Sequence, residues 1–207
     1  MLKIWGRNNS INVMKVLWVA SELGIGFERV DLGGPFGGNH EPGYLKLNPN
    51  GLVPTIDDDG FVLWESNSIV RYLAATHSAG GLWPTDPRQR ADAERWMDWQ
   101  LSVLIPSVGP LFLGLIRTPP EKRDAAVLET AREASEEAWR RLEGVLEDGR
   151  SYLTGETFTM GDIPAGCFAY RWYSLPIKRP TLPRVEAWYK RLSARPAYRE
   201  HVMKPLT

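Results

Sequence analysis

Cysteine is almost missing from this chain, with Cys167 alone among 207 residues. One thiol cannot close an internal disulfide, and a zinc site built on four cysteines is excluded with it. Surplus charge is missing too. Lys+Arg and Asp+Glu both total 25, for a formal net charge of 0, so nothing drives the chain toward the phosphates of a nucleic acid. No apolar run approaches the roughly 20 residues that a membrane span needs. The opening Met1-Leu2-Lys3-Ile4-Trp5 runs into alternating structure without a signal-peptide pattern. A soluble protein of the cytoplasm, with no membrane partner, is expected. Internal repeats and low-complexity tracts are also lacking.

Apolar and aromatic residues, by contrast, are present in strength. Hydrophobic residues make up 43% of the chain, and nine are Trp. That is an ordinary globular fraction with unusually large aromatic surfaces to bury in a core or an interface. The charged stretch from Glu121 to Arg141 mixes signs and reads as the solvated face of a helix.

Periodicity changes along the chain. Leu2 and Ile4 alternate with polar neighbours as in a strand. From Asn12 to Leu23, Val13, Val16, Leu17, Ala20 and Leu23 share one helical face, and Gly24 follows where a C-terminal cap belongs. Phe27 to Leu32 alternates again, which completes a β-α-β unit with parallel strands. A glycine-rich loop, Gly33 to Gly43, contains His40, and a short helix is expected around Gly43 to Leu47. Asn48-Pro49-Asn50-Gly51 is a turn. Leu52 to Ile56 and Phe61 to Trp64 flank Asp57-Asp58-Asp59-Gly60 as a hairpin, and Glu65 to Thr76 is a helix.

Gly, Pro and small residues then mark a linker, after which the pattern is helical throughout. The expected organisation is a first domain over 1–79, a linker over 80–87 and an all-helical domain over 88–207. Asp86-Pro87 opens the first helix of that domain, and Pro106 and Pro110 should kink or end it. A long helix follows Thr118-Pro119-Pro120 to about Glu147, with further helices from near Thr159 and Pro183.

Three segments carry polar groups that invite chemistry. Asn8-Asn9-Ser10-Ile11-Asn12 lies where the first strand meets the first helix, a place where backbone N–H groups and the helix dipole favour an anion. The plain alternative is that Ser10 or Asn12 caps the helix. In Leu52-Val53-Pro54-Thr55, a proline within a strand pattern marks an edge or a cis bond, and a cis Val53–Pro54 bond would present Val53 to an extended peptide. In Glu65-Ser66-Asn67, Ser66 either caps the next helix or, with its N–H, holds a carboxylate. In the second case Glu65 would accept from an ammonium, and the pair would suit the amino-acid end of a γ-glutamyl group.

Ser10, His40, Asn48-Pro-Asn-Gly-Leu-Val-Pro54 and Glu65-Ser66, in this order and spacing, resemble the glutathione site of glutathione transferases, most of all their theta-like bacterial branch. Gly-Arg-Asn-Asn-Ser-Ile-Asn and Trp-Glu-Ser-Asn-Ser-Ile-Val-Arg-Tyr-Leu carry the likeness. So does Thr159-Met160-Gly161-Asp162, which matches the family's structural capping box, with Phe158 and Ile163 as a hydrophobic staple. The resemblance implies an α/β plus all-α fold, in which a thioredoxin-like N-terminal domain (βαβ-ββα) precedes an all-helical C-terminal domain.

The resemblance also implies an activity. Ser10, or alternatively Asn12, would donate to the glutathione sulfur. His40 would meet the glycine carboxylate, Val53 with Pro54 would pair with the cysteinyl moiety, and Glu65 and Ser66 would hold the γ-glutamyl end. Glutathione would be the co-substrate, a small electrophile the second substrate, and a homodimer the assembly, with no metal. Position 10 is not cysteine and the turn has no tyrosine, which argues against the cysteine- and tyrosine-type mechanisms. The apolar wall for the electrophile is expected among Leu101, Leu104, Ile105, Phe112, Trp172 and Tyr173, with Arg7 and Arg117 favouring anionic electrophiles. Dehalogenation, isomerisation and peroxide reduction would use the same thiolate. A non-catalytic glutathione-binding protein would keep the scaffold alone.

The energetics of such a site close without a metal or a general base. A free thiol has a pKa of about 8.5, and lowering it by roughly two units takes about 2.7 kcal/mol. A hydrogen bond to a charged group supplies about 1.5–3 kcal/mol, and a helix N-terminus about 0.3–1 kcal/mol.

Overall fold

The computed structural model describes residues 1–207 as two compact units. The first comprises Met1–Trp83 with Pro196–Lys204, and the second Pro84–Arg195 with Pro205–Thr207. The boundary between them lies between Trp83 and Pro84. The last helix, however, joins the first unit instead of the second. Its Tyr198 is fully buried and meets Trp18 edge-on at 4.7 Å, while Ser21 Oγ and His201 Nε2 lie 2.6 Å apart.

The first unit is built on strands β1 (Leu2–Trp5), β2 (Phe27–Val30), β3 (Thr55–Asp58) and β4 (Phe61–Trp64), in the sheet order β2-β1-β3-β4. β1 and β2 are parallel, with Leu2 opposite Phe27. β3 is antiparallel to both β1 and β4, with Ile4 opposite Ile56 and Ile56 opposite Leu63. The helices are α1 (Ile11–Glu22), the short α2 (Pro42–Leu45) and α3 (Ser66–His77). Leu2, Ile4 and Ile56 of the sheet, Ile69, Val70 and Leu73 of α3 and the apolar residues of α1 are all buried.

α1 is buried on nearly every side, from Val13 through Ala20, and not only along the expected stripe. It packs against α3 and also against the terminal helix Pro196–His201, so no face remains for solvent. Gly24, with φ 68°, follows the C-cap Leu23, and its N–H donates to Ser21. β3 starts at Thr55, three residues later than the pattern suggests, because Pro54 has no N–H for the ladder.

In the second unit, α4 (Pro87–Trp99) begins at Asp86, whose side chain accepts from the N–H groups of Arg88 and Gln89. The expectation that Pro106 and Pro110 break this helix is corrected. Helical backbone continues through α5 (Ile105–Phe112) to Arg117, with five-residue π turns at Gln100–Leu104 and Leu113–Arg117. The wider turns shift the bonding register where the prolines cannot donate, with the N–H of Ile105 reaching the carbonyl of Gln100. Ser107 Oγ takes the Val103 carbonyl at 2.8 Å.

The continuous helix Pro87–Arg117 is long and apolar enough, by length and composition, to cross a membrane, and 33% of its most apolar window is buried. The expectation that no segment approaches this measure is therefore corrected. Polar residues and prolines interrupt the run without lowering its average hydropathy below that of a span. The core helix of a soluble protein meets the same measure.

Three further helices follow in this unit, α6 (Ala125–Val145), α7 (Asp162–Ser174) and α8 (Pro183–Ser193), and α9 (Pro196–His201) is the helix that joins the first unit. Asp124 caps α6 through the N–H groups of Ala126 and Val127. At the start of α7 half of the expected capping box forms. Asp162 Oδ2 accepts from the Thr159 N–H at 3.0 Å, but Thr159 Oγ1 accepts from Gly161 rather than from Asp162. Asp162 Oδ1 instead ties the unit together, accepting from the Leu153 N–H and from Trp188 Nε1 at 3.0 and 2.9 Å.

Candidate glutathione site

The strand-to-helix junction at Ser10 is the first part of the site. Ser10 sits at the N-cap position of α1 with extended backbone, yet its side chain makes no capping bond. Its carbonyl accepts from the Met14 N–H at 2.9 Å, while its own N–H donates to Arg7. The capping reading is thus corrected for this serine. The hydroxyl, 93% of whose residue surface is already removed from solvent, is held at the positive end of a twelve-residue helix.

The second part is the loop from Asn48 to Thr55. Asn48 is buried and uses its whole amide. Nδ2 donates to the Leu52 carbonyl at 2.8 Å and to Thr55 Oγ1 at 3.2 Å, and Oδ1 accepts from the N–H and the side chain of Asn50, both at 3.1 Å. The Tyr44 hydroxyl joins the same knot, donating to the Leu52 carbonyl at 2.6 Å and lying 2.7 Å from Thr55 Oγ1. Burial pushes the Tyr44 phenol above its ordinary pKa, so it remains a neutral donor. The Val53–Pro54 bond is cis. Val53 is half-buried and lies outside the strand ladder.

Gly51 closes this turn with φ 62°. A Cβ there would come within 2.7 Å of His40 Nδ1 and 3.1 Å of the Asn39 carbonyl, so glycine serves both the left-handed backbone and the close approach of His40. His40 is exposed, beside the turn.

The third part is Glu65-Ser66. Glu65 has φ 73° and ψ 108°, a conformation that costs a non-glycine residue about 1–3 kcal/mol and is held by the surrounding fold. It is Glu65 that stands at the N-cap position of α3, with no side-chain capping bond, so Ser66 is the first helical residue and the capping reading fails for it as well. Ser66 is buried, and its hydroxyl receives Lys15 Nζ at 3.3 Å.

These parts meet in a narrow cleft of about 60 Å³ lined by Asn12, Asn48, Asn50, Leu52, Val53, Pro54, Glu65 and Ser66. Five expected residues are therefore brought together: Asn12, Val53, Pro54, Glu65 and Ser66. Ser10 and His40 flank the cleft in sequence and are not among its lining side chains. Tyr44 and Lys15 were not foreseen as site residues, and Asn48 and Asn50 stood in the matched motif without a role of their own. The Asn-Pro-Asn-Gly signal marked a turn, but not that its first Asn would hold Thr55 from inside.

The expected electrophile wall fares differently. Leu104 and Trp172 are 0% and 1% exposed, with Trp172 against Trp139 at 6.1 Å. They are core residues of the second unit, and their assignment to a substrate surface is corrected. Phe112 is also buried, under the guanidinium of Arg171 at 3.8 Å. Leu101 and Ile105 remain exposed. Arg117 reaches the Thr207 carbonyl with Nε and Nη2 at 3.3 and 3.2 Å. Arg7 lies along the Gly33-Gly34 backbone in the first unit.

The family model for the N-terminal domain of glutathione S-transferases matches residues 1–75, and that for the C-terminal domain matches residues 104–196. The chain is 40% identical over 209 residues to glutathione S-transferase GstB of Escherichia coli, with 100% of each chain covered. The chain belongs to the glutathione S-transferase family. Among other relatives, glutathione S-transferase 3 of Zea mays is 32% identical, covering 97% of this chain and 93% of its own. A theta-class glutathione S-transferase from Xanthomonas axonopodis pv. citri, solved with glutathione bound, superposes with a TM-score of 0.95 at 49% identity, covering 100% of this chain and 99% of that one. The family fold, a thioredoxin-like domain followed by helices, is the one observed in this glutathione S-transferase.

Proposed function

We propose that this protein is a glutathione transferase that stabilises the glutathione thiolate for attack on a small electrophile. The convergence of Asn12, Val53-Pro54 and Glu65-Ser66 on one cleft carries this reading. The cleft is small, sized for the polar head group of the γ-glutamyl residue more than for a whole tripeptide. The rest of the peptide would run along Val53 toward His40. Ser10 would donate its uncommitted hydroxyl to the sulfur, aided by the α1 terminus, and Asn12 is the alternative donor.

The reaction balances as a simple displacement or addition. The thiol proton leaves to water, the sulfur lone pair forms the new C–S bond, and the electrophile releases its leaving group or takes up a proton. The family of the relatives and the glutathione in the Xanthomonas structure support this reading over a non-catalytic one. Titration of the thiolate absorbance of bound glutathione is the test. A pKa well below the 8.5 or so of a free thiol is expected, and an unshifted titration would reject the enzyme.

The same proposal includes a cytoplasmic location and a two-fold dimer. Exposed Leu52, Phe61 and Trp64 in the first unit, and Leu101, Ile105 and Leu113 in the second, are apolar surface that a second copy of the chain would cover.

A further inference from the structure

The chain as a whole carries no net charge, yet one depression in the second unit gathers guanidinium groups. It measures about 570 Å³ and is lined by Arg88, Ala91, Asp92, Arg95 and Arg150. The first four stand three or four residues apart along α4 and so share one of its faces. Arg150 comes from the turn that follows α6. Three arginines against one aspartate leave the lining with an excess of positive charge.

Two of the three guanidiniums are held in place. Arg150 forks onto Asp148, with Nε at 2.9 Å and Nη2 at 2.6 Å, and its Nη1 donates to the Leu153 carbonyl at 3.2 Å. Its pKa is raised chiefly by the bond to Asp148, and the charge of Asp92 adds a smaller part. Asp92 therefore acts on Arg150 while it pairs with Arg95 Nη2 at 2.5 Å. That pair is not aligned as a hydrogen bond, because Asp92 Oδ1 has no hydrogen-bond partner. The N–H donors of Arg95 thus remain unspent, with its guanidinium over the Trp96 ring at 5.5 Å. Arg88 is exposed, and its side chain bonds to nothing within the chain.

A planar fork of donors fits the oxygens of a phosphate, and guanidiniums already fixed lose little further freedom when a ligand arrives. The excess charge suits a dianion, which a phosphate monoester largely is at neutral pH. Ala91 is small and exposed, so the middle of the face stays open. The volume is larger than a bare phosphate needs and falls within the roughly 300–1,000 Å³ of pockets that take small organic molecules.

We propose that this depression binds a phosphorylated small molecule through its phosphate, with Arg88, Arg95 and Arg150 as the donors. The site lies wholly within the second unit and stands whether or not the glutathione reading does.

The test is calorimetric titration at neutral pH and low ionic strength with glucose 6-phosphate, inorganic phosphate and glucose 6-sulfate. Glucose 6-phosphate should bind with a Kd of about 1 mM or tighter. Inorganic phosphate and the singly charged sulfate ester should each bind about tenfold more weakly. Arg88→Gln should weaken the phosphate ester about tenfold, as the loss of one charge-assisted contact implies. Ala91→Phe, which fills the depression from an exposed helix position, should abolish binding. Arg140→Gln removes the same charge from an exposed face of α6 and should change nothing. All three substitutions lie at exposed positions, and thermal melts would check that each variant is folded.

Equal weakening by Arg140→Gln and Arg88→Gln would show overall charge alone at work and overturn the proposal. So would binding that survives Ala91→Phe, or no binding of any of the three ligands. Inorganic phosphate that binds as tightly as the ester would overturn the assignment to a phosphorylated molecule in favour of the free ion.

Discussion

At Ser10 the decisive fact is a bond that is not made. An N-cap serine usually gives its oxygen to the helix, and one that does not is left to serve something else. Ser10→Ala should therefore cost little stability, since no cap is lost. It should lower kcat by about 10- to 100-fold, as expected when a hydrogen bond to a charged group worth about 1.5–3 kcal/mol is removed, with little change in the KM for glutathione. Steady-state kinetics with thermal melts would check both parts. If Asn12→Ala has this effect and Ser10→Ala is silent, the donor is Asn12. Asn48 behaves oppositely: its four bonds hold the loop that presents Val53. Asn48→Ala should raise the KM for glutathione and lower stability by about 2 kcal/mol or more, since buried partners are left unsatisfied, as chemical denaturation would report.

These residues also mark how much of the site could be read in advance. Ser10, Val53, Pro54, Glu65 and Ser66 stand at junctions between elements, and junctions are visible in sequence as breaks in periodicity. Asn48 stands at such a break too, in the Asn-Pro-Asn-Gly turn, but its inward bonds to Leu52 and Thr55 cannot be read there, and Lys15 stands at none. Lys15 occupies a position where a helical lysine normally reaches solvent, and only packing on both sides of α1 reveals it as buried. Leu104 and Trp172 erred for the converse reason. An apolar residue on a helix looks the same in sequence whether it faces a substrate or the core, and burial alone separates the two.

At the scale of elements, strands and helices of the first unit were legible because their periods differ. The long helix Pro87–Arg117 was not, because proline signals a break unless the backbone widens to absorb it, which the two π turns do. The α7 terminus offers a sharper test. Asp162 is wholly buried, and this burial raises its carboxyl pKa from 3.8 to about 6 in spite of three N–H donors. Between those values the native state holds a proton that the unfolded chain has lost, so this group's contribution to stability falls as pH rises through about 4 to 6 and levels off above. The shift corresponds to something on the order of 3 kcal/mol. Asp162→Asn carries no such proton. Urea denaturation should find the variant less stable than the parent, with the gap widest near pH 4 and narrowing toward pH 7. A gap that widens with pH would reverse the assignment.

For the whole molecule, the surface poses the question that the core does not. β4 is an edge strand, and its Phe61 and Trp64 are 49% and 36% exposed, with Phe61 tilted against Tyr72 at 5.1 Å. Edge strands with outward aromatics invite pairing unless they are covered, and a closed two-fold dimer covers the same patch on both copies at once. Light scattering should therefore give a mass of twice the 23.4 kDa chain. Phe61→Asp would place a charge in the covered patch and should shift the protein to monomer at micromolar concentration, with little loss of monomer folding, because the side chain is half exposed within a single chain. A Phe61→Asp protein that remains fully dimeric would remove this strand from the interface and move attention to Leu101, Ile105 and Leu113 on the long helix. There the same substitution strategy, measured in the same way, would decide whether the apolar face of Pro87–Arg117 meets a second copy.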